Sequence, residues 1–205
     1  MDWHHNPIKV LYTGKSGSGK TTAWLERIAR EHCDYLFVFD GIAMPEPGGE
    51  YAHRTGTDYV CDWQAAAWCL KQRKPVIFDP GELFPGNRSE GFERFCDFTL
   101  SMAEVLPGRK ILAVDEVQKF ARKSPANLPH SFQVILDEGR KYNLDLVLIS
   151  RRPNQVNEAI RAELTELCVF QHTDRNPLAW LEEDGFDPEE VRALAFPGGC
   201  ITRTL

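Results

Sequence analysis

Short apolar or β-branched runs recur along the chain. Most are followed by stretches in which apolar positions return every three or four residues. The runs at 9–13, 35–39, 76–78, 111–114, 144–149, 167–170 and 200–204 predict strands, since continuous apolar runs of that length suit a sheet buried on both faces. Between them the 3.6-residue period predicts helices. One starts at Lys20 and carries Trp24, Leu25, Ile28 and Ala29 as a core-facing stripe. Others cover about 62–72, 91–106 and 131–142. Near the C-terminus Asp187, Pro188 and Glu190 supply an N-cap, a proline at the first helical position and a glutamate at the third, a strong helix start. Segments 41–57 and 123–129, rich in Gly and Pro or in Ser-Pro and Leu-Pro, read as loops. The alternation predicts an α/β fold: a mostly parallel central sheet with helices on both faces.

The connection after the first strand is the most informative segment. It reads Gly14-Lys15-Ser16-Gly17-Ser18-Gly19-Lys20-Thr21, followed by Thr22. This is a complete G-x-x-x-x-G-K-[ST] phosphate loop between a strand and a helix, where backbone N–H groups and the helix N-terminus cradle a polyphosphate. Gly14, Gly17 and Gly19 let the backbone approach phosphate oxygens. Lys20 reaches the β- and γ-phosphates, and the Thr21 hydroxyl ligates Mg²⁺. The expected ligands are ATP and Mg²⁺.

Hydrolysis also needs a carboxylate to order the metal and a base for water. Two apolar runs end in Asp: 111–114 leads into Asp115-Glu116, and 76–78 into Asp79-Pro80. The first matches a Walker B strand better, because Asp115 can order the metal while Glu116 takes a proton from the attacking water. Pro80 cannot do that. The alternative is that Asp115 caps the following helix. Asp79 and Asp40 read as turn-forming residues, although either can touch solvent near the C-terminal edge of the sheet. A water-activating Glu after the metal-ordering Asp is not required for phosphate transfer to a small acceptor, and no N-K-x-D element for reading guanine is present.

Composition narrows the class only a little. At 205 residues, 42% hydrophobic and 26% charged, the chain fits one domain, 1–205, with no room for another ahead of the phosphate loop. No apolar run approaches the roughly 18 residues of a bilayer span, and no signal peptide is evident, so a cytoplasmic location is expected. The six cysteines contain no C-x-x-C pair, so no structural metal is expected. A net charge of −6 argues against a protein that coats nucleic acid, and leaves room for basic charge focused in one groove or pore.

A third element follows. Residues 136–153 end as Asn143-Leu144-Asp145-Leu146-Val147-Leu148-Ile149-Ser150-Arg151-Arg152-Pro153, a turn containing Arg140 leading into an apolar strand and an S-R-R-P finish. A helix over 154–164 and a strand come next. With the phosphate loop and Asp115-Glu116, this order resembles the HerA–FtsK superfamily of ring-forming, DNA-pumping ATPases over nearly the whole chain. The resemblance implies a P-loop NTPase of the RecA-like, additional-strand class. In that family the S-R-R-P position usually holds a sensor glutamine; here it is Arg151, which can contact the γ-phosphate by charge, with Ser150 able to share the task. The resemblance implies a trans-acting arginine finger near Arg140, whose other reading is a cap on helix C-terminal carbonyls, with Arg151 and Arg152 as reserves for the same task. Lys119, Arg122 and Lys123, after the acidic pair, either face DNA phosphates in a ring's channel or lie on a solvated face.

Among such ATPases the small size is similar to the genome-packaging ATPases of tailless, membrane-containing viruses. This implies an ATP-driven translocase of double-stranded DNA that binds without regard to sequence, forms a homo-oligomeric ring such as a hexamer, and meets a capsid or membrane vertex protein in the host cytoplasm or virion. The alternatives are a small-molecule P-loop kinase and a filamentous-phage assembly or export factor.

Overall fold

The computed structural model describes residues 7–41, 50–121 and 128–205. Eight strands form one sheet: β1 (Lys9–Thr13), β2 (Tyr35–Phe39), β3 (Tyr59–Val60), β4 (Val76–Phe78), β5 (Lys110–Val114), β6 (Leu144–Ser150), β7 (Glu166–Phe170) and β8 (Cys200–Thr204). Their order is β3-β4-β2-β5-β6-β1-β7-β8, and all pairs are parallel except β7 with the edge strand β8. The phosphate-loop strand β1 and the acidic strand β5 are therefore not neighbours. Strand β6 stands between them, which is the additional strand expected.

Except at the edge strand β8, both faces of the sheet are buried, which explains the near-continuous apolar runs. Alternate residues feed two cores. Leu11, Leu112, Val114, Leu146 and Leu148 join a phenylalanine-rich layer that includes Phe39, Phe78, Phe92, Phe95 and Phe132. Val10, Tyr12, Ile111, Ala113, Val147 and Ile149 join a thinner layer around Trp24. Helices α4 (Arg88–Val105) and α5 (His130–Glu138) cover the first face; α1 (Lys20–Arg30) covers the second. Within the α1 stripe Trp24 is fully buried and Leu25 and Ile28 are half-buried, but Ala29 is exposed. The stripe is narrower than expected.

Other expectations also change. Residues 41–57 are not all loop, because Glu50–Thr55 form helix α2, and the two-residue β3 follows. Helix α3 (Trp63–Lys71) begins where expected, with the Asp62 side chain accepting the Ala65 N–H at 2.7 Å. The helix expected over 131–142 ends at Glu138 and continues as a 3₁₀ turn, Gly139–Tyr142, closed by Asn143 at φ 51°. The helix expected over 154–164 is a 3₁₀ turn, Pro153–Gln155, and then α6 (Glu158–Glu163), capped by Asn157. Helix α7 (Arg175–Glu183) was not expected; α8 (Pro188–Ala193) was, and Asp187 caps it by accepting the Glu189 N–H at 2.8 Å. Most of the 123–129 loop lies outside the described residues.

Candidate active site

The parallel strands deliver their C-terminal ends to one edge of the sheet, and the phosphate loop hangs there. Gly14 donates its N–H to the Ser150 carbonyl at the end of β6, and Lys15 donates to the Gln171 carbonyl just past β7. Gly17 and Gly19 have φ of 72° and 98°, a region that favours glycine. A Cβ on Gly14 would sit 2.6 Å from the Phe170 Cβ. Helix α1 starts at Lys20 with no acidic residue in its first turn, so its N-terminal N–H groups keep their attraction for an anion. Ser16 is exposed at the loop tip, Ser18 is buried, and Thr21 and Thr22 are half-buried in the first turn. The Lys20 ammonium donates to the carbonyls of Gly14 and Lys15, 2.9 Å each. Folded back this way, it sits where phosphate oxygens can replace the carbonyls as stronger acceptors.

Asp115 follows β5 and is anchored by its N–H, which donates to the Phe39 carbonyl at 3.0 Å. Burial first, and the nearby Asp40 charge second, push its carboxyl up to about 6. The Tyr51 hydroxyl, from α2, lies against both Asp115 and Thr21 and makes no well-formed hydrogen bond. Thr21 and Asp115 thus meet around one buried phenol, on one side of the sheet. A hydroxyl and a carboxylate short of positive charge are a fitting donor pair for a small hard cation such as Mg²⁺.

Glu116 is buried at 4% exposure and has φ 51°, an unusual conformation for a glutamate. Its carboxylate pairs with the Arg151 guanidinium and accepts from the Gln118 amide. Arg151 is half-exposed, at the wall of an open cleft of about 600 Å³ that Glu116, Lys119, Arg152 and Asn154 also line. The Ser150 hydroxyl accepts the Arg152 N–H at 3.0 Å and so shapes the turn after β6. Lys119 is exposed; Arg122 and Lys123 lie outside the described residues. Arg140 is exposed in the 3₁₀ turn ahead of β6, at the opposite end of the sheet from the phosphate loop.

Three neighbours had no signal in the sequence strong enough to find them. Asp40 is buried at 4% exposure, accepts from the Tyr59 hydroxyl and adds its charge beside Asp115, rather than forming a turn. Asp79 does form a turn, accepting the Gly81 N–H at 2.8 Å. Tyr51 lay in a segment read as loop. His172, past β7, is 2% exposed, with Nε2 3.0 Å from the Thr13 hydroxyl. Burial, then the Lys20 charge, lower its pKa from 6.5 to about 4.

A neutral native imidazole stabilises the fold fully above the unfolded pKa, and that stability is lost as pH falls from 6.5 toward 4. Between pH 7 and 5 this amounts to about 2 kcal/mol for one such group. Chemical denaturation of the wild type and of His172→Asn at both pH values should show the wild type losing that much more. Equal losses would mean that His172 is not held neutral.

A phosphate loop on β1, an acidic pair on β5 and one parallel strand between them decide the class. The chain is a P-loop NTPase by fold. A family model described as zonular occludens toxin (Zot) matches residues 89–177, less than half of the chain. No curated protein matches it in sequence. Among solved structures, the genome packaging NTPase B204 from Sulfolobus turreted icosahedral virus 2, in complex with sulfate, superposes with a TM-score of 0.69 at 16% identity, covering 94% of this chain and 89% of that one. The N-terminal domain of zonular occludens toxin from Neisseria meningitidis gives 0.50 at 15% identity, covering 98% and 95%. EssC (ATPases 2 and 3) from Geobacillus thermodenitrificans gives 0.57 at 13%, covering 96% of this chain and 37% of that one. At such identities the likeness is one of fold. It bears out the α/β class and the resemblance to packaging and HerA–FtsK-type ATPases at that level.

Proposed function

We propose that this P-loop NTPase hydrolyses ATP to move double-stranded DNA, working as a homo-oligomeric ring in viral genome packaging. The observation that carries the hydrolytic part is the convergence of Thr21 and Asp115 on the Tyr51 hydroxyl, with Glu116 next in the chain. Residues 14–22 hold the phosphates, and Lys20 turns from its two carbonyls to the β- and γ-phosphates. Thr21 and Asp115 hold Mg²⁺, which neutralises phosphate charge when bound. Glu116 accepts the proton of the attacking water. Arg151, beside Glu116, is placed to sense the γ-phosphate.

The DNA and ring parts rest on the likeness to the packaging NTPase and on two features of this chain. Arg140 is remote from its own phosphate loop, as suits a residue acting on a neighbour. Lys119, Arg151 and Arg152 gather at one cleft, where basic side chains can meet phosphates without reading bases. A second reading, a phage assembly or export factor that binds nucleotide with little turnover, is favoured by the Zot match over residues 89–177.

One measurement separates them: ATPase activity against protein concentration, with and without long duplex DNA. The motor reading expects specific activity to rise steeply as subunits associate and to rise further with DNA. Binding without turnover at any concentration would favour the assembly factor, and phosphate on a small acceptor would favour a kinase.

A further inference from the structure

Segment 195–199, between α8 and β8, folds onto the phosphate loop. The Gly198 N–H donates to the Ser18 carbonyl at 3.0 Å, and the Gly199 N–H closes the turn on the Ala195 carbonyl at 3.0 Å. The approach is close: a Cβ on Gly19 would lie 3.5 Å from the Gly198 backbone, and one on Gly17 would lie 3.5 Å from the Phe196 ring. Gly198 itself has φ 104°. The fold thus fixes Phe196 at the lip of the loop, where the Lys15 ammonium lies 4.1 Å from the ring centroid. Phe196 is nonetheless 49% exposed, one of few large apolar side chains among the described residues left so open.

The strand order says what this ring faces. The terminal phosphate must point toward Asp115 and Glu116, on the β5 and β6 side of the phosphate loop. The nucleoside then leaves on the other side, toward β7 and β8, where segment 195–199 stands. The geometry points to Phe196 as the platform on which the base of a nucleoside triphosphate stacks, a proposal that rests on the nucleotide-binding reading of residues 14–22. Lys15 covers part of one ring face by a cation–π contact, and the open remainder offers a base an apolar surface of matching shape. Stacking of this kind depends on ring area and not on the pattern of donors and acceptors along the base edge. The platform therefore accepts adenine and guanine alike.

Calorimetric titration of ATP and of inorganic tripolyphosphate into the wild type, Phe196→Ala and Phe196→Trp tests this. Because the side chain is half-exposed, its loss leaves the core packed. Phe196→Ala should weaken ATP about 5- to 100-fold and leave tripolyphosphate unchanged, and Phe196→Trp should keep ATP affinity near that of the wild type. Unchanged ATP affinity in Phe196→Ala would overturn the platform, as would an equal loss for both ligands. A wild type that binds neither ligand would instead remove the nucleotide site on which the platform depends.

Discussion

Glu116→Gln should bind ATP with near-normal affinity and hydrolyse it about 10²- to 10⁴-fold more slowly, the usual worth of a positioned general base. Gln keeps the size and one acceptor of the carboxylate, so the Gln118 contact survives while the ability to take a proton does not. Arg151 loses a counter-ion, but it is half in water already, which keeps the cost to stability small. The test is therefore clean. Nucleotide binding followed by calorimetry and turnover by phosphate release should separate by at least two decades. Turnover within a few-fold of the wild type would contradict the assignment of the base.

The largest loss is expected at Arg140. Removing a trans-acting arginine costs about 10³- to 10⁵-fold in turnover. The seven residues of β6 separate Arg140 from the phosphate-loop edge, a rise of roughly 20 Å at a strand's ordinary 3.3 Å per residue. It cannot serve its own site. Arg140→Ala should therefore retain nucleotide binding, self-association and melting temperature, and lose hydrolysis. Mixing it with Lys20→Ala should restore part of the activity, because some interfaces then pair an intact phosphate loop with an intact arginine. No recovery on mixing, or full activity in Arg140→Ala alone, would leave Arg140 as a residue of the turn before β6.

Strands were readable from the sequence because burial on both faces removes polar interruptions. β1, β2 and β4 fall on the predicted residues, and β5, β6 and β7 fall there to within one; the edge strand β8 also falls on its predicted residues, without that burial. The phosphate loop was readable because its chemistry demands glycines and a lysine at fixed spacing. What stayed hidden depends on contacts distant in sequence. Tyr51 sits on a six-residue helix after a Gly- and Pro-rich stretch, and only Trp24, 5.6 Å away between ring centroids, with Thr21 and Asp115, gives it a purpose. Asp40 looks like any aspartate after a strand until Tyr59 and Asp115 are placed beside it. His172 becomes special only when Thr13 and Lys20 arrive from the other end of the chain. Phe196 is in the same position, since its partner Lys15 lies far back in the sequence. The helix expected over 131–142 failed for a local reason: its last turn tightens to 3₁₀, and Asn143 reverses the backbone so that β6 can start.

Reversing the direction of the final strand has a consequence for the binding edge. Cys200 pairs with Phe170, so the chain enters β8 beside the phosphate loop and departs at the distant margin, where Leu205 donates its N–H to the Thr165 carbonyl. A last strand aligned with the others would have begun at that distant margin and carried the Phe196 turn with it. One antiparallel pairing at the rim thus brings residues near the end of the chain back to those near its beginning.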